Sequence, residues 1–393
     1  MVVCVVLIRH CLTLAFLVGV SCNLVNDAIE QDADKIIQYL TQGEGKGQTY
    51  SWLEHLCDTF GNRYAPGPQF DLAANHLVAE LKAIGVDKVW TEPAPNIPHW
   101  FRGQDPLAPD HAWLLEPREL FIPVLALGNS TATPHGTGFQ RLKAIVVRSF
   151  NELDSISDEK IRGNIVIYNQ PWQGYDKSEL YRGHGATQAA KKGAVAALIR
   201  SVTPQSLYTL HAGWQDYDPS NSSLQIPVAS ITVEDAELLH RLQMDGHELV
   251  LSLVINTTNH GTITKPNIVA EIVGSQFPEQ MVLFGGHLDS WDVGQGAMDD
   301  GGGVAITFRA LATIKKLGLK PKRTVRAVFW TGEEFDYVGS GAYYKSHKQE
   351  AANVSLVMES DSGVFKPLGF HFTGEAGNNS LFDQFVNSLI LFQ

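Results

Sequence analysis

The sequence predicts an α/β fold: a mostly parallel mixed sheet with helices on both faces, carrying an inserted β-rich unit. Three observations lead there. From residue 267 onward, apolar runs at 268–273, 281–285, 324–330, 354–358 and 369–373 alternate with helical spacings at 301–317, 338–347 and 380–391. That is the pattern of strands joined by helical crossovers, which makes a largely parallel sheet covered on both faces. Residues 124–261 instead show short β runs at 144–147, 164–168, 228–231 and 249–255. Three of the later strands end on histidine or acidic motifs, and in open α/β sheets ligands bind beyond the carboxyl ends of strands.

The elements follow in order. Residues 1–9 carry one positive charge, 12–20 are apolar, and Gly19, Ser21 and Cys22 are small, so 1–22 reads as a secretory signal peptide. No later stretch is long enough to span a bilayer, so the mature protein is expected to be soluble and secreted, with ER–Golgi and lysosome as other stations. Helix 27–40 and the glycine-rich loop 43–48 mark 23–48 as a candidate propeptide. Helices 50–60 and 71–84 flank the breaker-rich turn from Gly61 to Gly67, Gly85 stops the second helix, and 88–91 is a strand. Prolines and tryptophans then cluster over 92–123 without periodicity. The main domain is therefore expected from 49–123 and 262–393, with the insert at 124–261. Within the insert, Gln188 to Ile199 reads as a small-residue helix running through Gly193 into a strand, which resembles the protease-associated domain.

Composition narrows the function. A net charge of −12 argues against nucleic acid and against a polybasic membrane patch. Cys4, Cys11 and Cys22 would leave with the leader, and Cys57, within the apolar pattern of Trp52, Leu53, Leu56 and Phe60, is expected as a buried thiol. Asn129, Asn221, Asn256, Asn353 and Asn378 head glycosylation triplets. No Gly-x-Ser-x-Gly elbow appears, which removes the serine hydrolases.

The strand-end motifs carry the chemistry. His287 follows the 281–285 run, with Asp289 placed to orient its imidazole, and Asp299-Asp300-Gly follows closely. Glu333-Glu334 ends the next strand; one can ligate a metal while the other acts as general base. Asp361 ends the third, with Glu359 two residues before it. Imidazole plus several carboxylates is a donor set suited to Zn2+, and so much carboxylate suits a pair of ions.

As a set, Gly-His287-Leu-Asp289-Ser, Asp299-Asp300-Gly, Glu333-Glu334 and Glu359-Ser-Asp361 resemble the two-zinc exopeptidase superfamily of aminopeptidases and glutamate carboxypeptidases. The resemblance implies two zinc ions, with His287 and Asp361 on one, Glu334 on the other and Asp299 bridging. It implies Glu333 as the base that deprotonates a water, Asp289 as the orienting residue, and a cis peptide between Asp299 and Asp300. It also implies a small-peptide substrate, carboxypeptidase or dipeptidase cleavage, and a homodimer. One further histidine ligand is expected well beyond Asp361. Only His371 lies downstream, within the expected 369–373 strand and so misplaced, which makes the chain look C-terminally incomplete. The competing expectations are a catalytically impaired form, a non-catalytic binding protein on the same scaffold, and a single-zinc glutaminyl cyclase, which the paired glutamates disfavour.

Overall fold

A computed structural model of the chain describes residues 5–6, 21–103, 109–134, 137–205, 207–218, 220–369, 371 and 373–374. The expected leader falls almost wholly outside them, as do Asn378 and the helix expected at 380–391. Contacts divide the chain into two compact units, Met1–Ile97 with Ile263–Gln393, and Pro98–Thr262.

In the first unit the sheet is ordered Val354–Glu359, Phe277–His287, Arg323–Trp330, Thr258–Ile272 and Lys88–Phe101. The first three strands are parallel, and Thr258–Ile272 runs antiparallel to Arg323–Trp330. Side chains alternate across a sheet with period two. Ile268, Ala270, Ile272, Ala327 and Phe329 accordingly meet Trp52, Leu56, Phe70, Leu77, Phe308 and Leu311 from the helices Gln48–Phe60, Pro68–Ala83 and Gly302–Lys316. Each fully buried leucine or phenylalanine there contributes about 2 kcal/mol. The opposite face sends Val269, Val328 and Trp330 toward Tyr343 of the helix Val338–His347. Arg326, on that face, is buried and satisfied: it donates to Glu271 (2.8 Å), the Tyr343 hydroxyl (2.8 Å) and Glu350 (3.0 Å). Helices thus cover both faces.

The second unit holds an eight-stranded sheet ordered Leu120–Ile122, His111–Glu116, Leu249–Val254, Phe139–Val147, Ile165–Tyr168, Ala196–Arg200, Val228–Ile231 and Val124–Ala126. The four strands from Phe139–Val147 to Val228–Ile231 are mutually parallel. The helix Tyr175–Lys191 packs Ala186 and Ala189 onto Val166, Tyr168 and Ile199. This unit thus carries helices on an eight-stranded sheet. It also begins at Pro98 instead of residue 124, because His111–Glu116 pairs with Leu249–Val254 and Leu120–Ile122 pairs with His111–Glu116. The strand expected at 88–91 runs on to Phe101, through Pro93, Pro95 and Pro98. Prolines fit there because the strand lies at the edge of its sheet order, where an unpaired position needs no N–H. Of the strand expected at 369–373, residue 373 opens the two-residue strand Thr373–Gly374, and residues 370 and 372 lie outside the described set.

Candidate metal centre

Three parallel strands deliver the expected site residues to one place. Phe277–His287 ends on His287, Arg323–Trp330 leads through Thr331 and Gly332 to Glu333 and Glu334, and Val354–Glu359 leads to Asp361. Register makes this happen: His287 lies opposite Trp330, and Gly285 opposite Glu359.

His287 is fully buried. Its Nδ1 lies 2.8 Å from the main-chain oxygen of Asp289, which assigns the proton to Nδ1 and leaves Nε2 as the ligating nitrogen. Nε2 lies 3.0 Å from Asp299 Oδ1, 3.5 Å from Asp361 Oδ1 and 3.8 Å from Glu333 Oε2. The Asp289 carboxylate stands 3.8 Å from Nδ1 and does not take the orienting bond expected of it. It instead accepts the N–H groups of Gly332 (2.8 Å) and Glu333 (3.3 Å), so it fixes the backbone that presents the glutamate pair.

Asp299 and Asp300 part company. The bond between them is cis, and Asp299 is exposed with Oδ1 turned to His287, while Asp300 is buried. Asp300 accepts the N–H of His287 (3.1 Å) and of Gly303 (3.0 Å), tying the strand end to the start of the helix Gly302–Lys316. The glycines around it are required by close approach. A Cβ on Gly286 would stand 2.4 Å from Asp300 Oδ2, and one on Gly303 would stand 1.9 Å from the Ser360 oxygen.

Two sets of ligand atoms lie within 4.8 Å of one another, His287 with Asp299 and Glu334, and His287 with Asp300 and Asp361. His371 joins neither set among the described residues. Crowding shows in the acidities. Burial, then the neighbouring Asp361 and Asp289, push Glu333 up to about 8 against the opposing effect of His287. Burial also raises Glu334, Asp300 and Asp289. For His287 the bonds to Asp299 and Asp361 outweigh burial, which alone would lower it, and hold it well above its ordinary value. One imidazole nitrogen and several converging carboxylate oxygens, mutually destabilised as anions, form a donor set that fits zinc.

A second cation belongs to this region and carries no motif of its own. Arg63, in the turn between the helices Gln48–Phe60 and Pro68–Ala83, is fully buried. Its guanidinium donates to the oxygens of Leu288 (2.7 Å), Gln295 (2.8 Å) and Gly296 (2.7 Å). Arg63 therefore clamps the loop joining His287 to Asp299. The one sequence signal was a lone arginine in a helix-breaking turn. Beside it Tyr64, Trp291 and Phe335 form a buried aromatic cluster, with Phe335 5.5 Å from Tyr64 and 5.7 Å from Trp291.

Comparison with known proteins places this architecture. Residues 267–391 match the model of peptidase family M28. The chain is 48% identical over 344 residues to carboxypeptidase Q of Xenopus laevis, covering 87% of this chain and 71% of that one. Its structure is similar to that of a peptidase M28 precursor from Shewanella amazonensis SB2B (TM-score 0.79, 32% identity, 86% of this chain and 75% of that one). A zinc aminopeptidase from Bacillus subtilis shares the fold alone (TM-score 0.55, 19% identity, 80% and 68%).

Proposed function

The chain belongs to peptidase family M28, in the carboxypeptidase Q group, and is a zinc metallopeptidase; from that premise we propose that it hydrolyses small peptides at a chain end, with Glu333 as general base. The observation that carries the reading is the convergence of His287, Asp299, Glu333 and Asp361 within 4 Å contacts of one imidazole nitrogen.

His287, Asp299, Glu334 and Asp361 would hold the zinc, and two ions are the expected complement. Bound there, zinc would supply Lewis acidity toward the scissile carbonyl and toward a water near neutral pH. Glu333 takes the proton from the attacking water at its carboxylate and returns it to the leaving amine. Glu333 Oε2 stands 3.8 Å from His287 Nε2, which places its carboxylate beside the nitrogen around which the ligands gather and within reach of both transfers. Asp289 positions that base through the Gly332 and Glu333 amides, and Asp300 positions His287 through its backbone N–H. The leader motif and the glycosylation triplets support a secretory route, and among the described residues no helix is long and apolar enough to cross a membrane. Family resemblance supports a homodimer.

Glu333→Gln tests the reading. It should lower dipeptide turnover by about a thousandfold while zinc content stays at the wild-type level. Turnover unchanged in that variant would contradict the assignment of the base.

A further inference from the structure

The loop after the glutamate pair has an unusual backbone. Asp336 and Tyr337 take left-handed conformations in succession, with φ 69° and 60°. That region suits glycine, and two bulkier residues there carry a conformational cost that such sites retain when the side chain has a task. Helix capping does not supply one, since Tyr337 precedes the helix Val338–His347 without any side-chain cap bond.

The loop closes on itself. Tyr337 N–H donates to the Glu333 oxygen (3.0 Å), and Val338 N–H donates to the Gly332 oxygen (3.0 Å). The Ser340 hydroxyl donates to the Tyr337 oxygen (3.2 Å). The turn therefore folds Tyr337 back beside the strand ends, yet leaves it 47% exposed. Burial and the charges of Glu333, Asp361, Asp336 and Glu359 push its phenol up to about 12. The phenol keeps its proton throughout the neutral range.

A peptide brings oxygens that need donors. As metal ligands or base, the carboxylates of Asp299, Glu333, Glu334 and Asp361 would offer it acceptors, and both nitrogens of His287 are engaged, with the Asp289 oxygen and with Asp299. We propose that Tyr337 is a substrate-contacting, specificity-determining residue whose phenolic O–H donates to a carbonyl or terminal carboxylate oxygen of the bound peptide. This rests on the peptidase reading above.

The experiment compares zinc-loaded wild type, Tyr337→Phe and Tyr337→Gly in three readouts. These are kcat/KM on one dipeptide as free acid and as C-terminal amide, binding of a dipeptide hydroxamate by calorimetry, and thermal unfolding. Tyr337→Phe should lower kcat/KM about tenfold with Tm unchanged. A loss confined to the free acid identifies the carboxylate as acceptor, and an equal loss on both substrates identifies the carbonyl. Tyr337→Gly should lose at least as much while holding Tm at or above the wild-type value, a split that a purely structural residue would not give. Wild-type kcat/KM in both variants overturns the proposal. If wild type binds the hydroxamate but hydrolyses nothing, the peptidase reading fails alone, and Tyr337 stands only if Tyr337→Phe weakens that binding. A chain that neither binds nor hydrolyses overturns both.

Discussion

The two units present parallel strands in the same way and put opposite chemistry at their ends. In the second unit the residues after the strands include Ser149, Asn169, Gln170, Ser201 and Thr232, and each spends at least one polar atom on a neighbouring group. Gln170 donates to the Arg200 oxygen (3.0 Å), Arg200 to Asn169 Oδ1 (2.9 Å), and Ser201 to the Ile231 oxygen (2.8 Å). Ser149 and Thr232 cap the helices that follow, accepting the N–H groups of Glu152 and Asp235 (3.0 Å each). In the first unit the equivalent positions carry His287, Glu333, Glu334 and Asp361, three carboxyl groups crowded around one imidazole, whose mutual repulsion as anions is relieved by a proton or by a metal cation. A shared topology offers the position; the residue types decide whether it becomes a cap or a site.

The sharpest way to break this contrast is to crowd the first unit's strand ends. Gly303→Ala places a methyl against the Ser360 oxygen and the Asp300 carboxylate. It should cost about 3 kcal/mol or more and abolish zinc binding. Gly341→Ala, in the helix Val338–His347 with nothing within 4 Å of the new methyl, should instead stabilise by about 0.5–1 kcal/mol. Equal Tm values for the two variants would remove close approach as the reason for the glycine run.

The carboxylate contrast makes a pH prediction of intermediate size. A carboxyl whose folded value is raised contributes stability that is complete below its unfolded value. For Glu333 that stability is lost between 4.5 and about 8 as the buried group is forced to ionise. Glu334 and Asp300 shift in the same direction. The zinc-free chain should therefore lose stability across that window, and zinc should displace protons. Zinc affinity should rise by up to about tenfold per pH unit for each proton released. Calorimetry in buffers of different ionisation enthalpy reads the protons directly, and none released at pH 7 would contradict the account. The smallest effect belongs to the second unit. Thr232→Ala removes a helix cap and should cost about 1 kcal/mol in unfolding experiments while dipeptide hydrolysis stays at the wild-type rate.

Much of this was legible in the sequence because it lies in short local patterns. Strand–motif pairs place His287, Glu333, Glu334 and Asp361 without knowledge of anything distant. What was hidden depends on loop geometry. Asp289 holds the imidazole with its main-chain oxygen, a choice between backbone and side chain that no residue pattern records. Asp300 spends its carboxylate on two backbone amides, and Arg63 reaches three carbonyls more than two hundred residues away in the chain. Strands at His111–Glu116 and Leu120–Ile122 escaped because they are short and sit among prolines, so period-two alternation has little length in which to appear.

In the proposed reading, the strand-end cluster of the first unit holds zinc through His287. Elemental analysis of purified wild type, His287→Ala and Thr232→Ala chains, each dialysed against the same zinc buffer, tests it most directly. Wild type and Thr232→Ala should retain at least about one zinc per chain, and His287→Ala should lose it. Full zinc retained in His287→Ala would contradict the account.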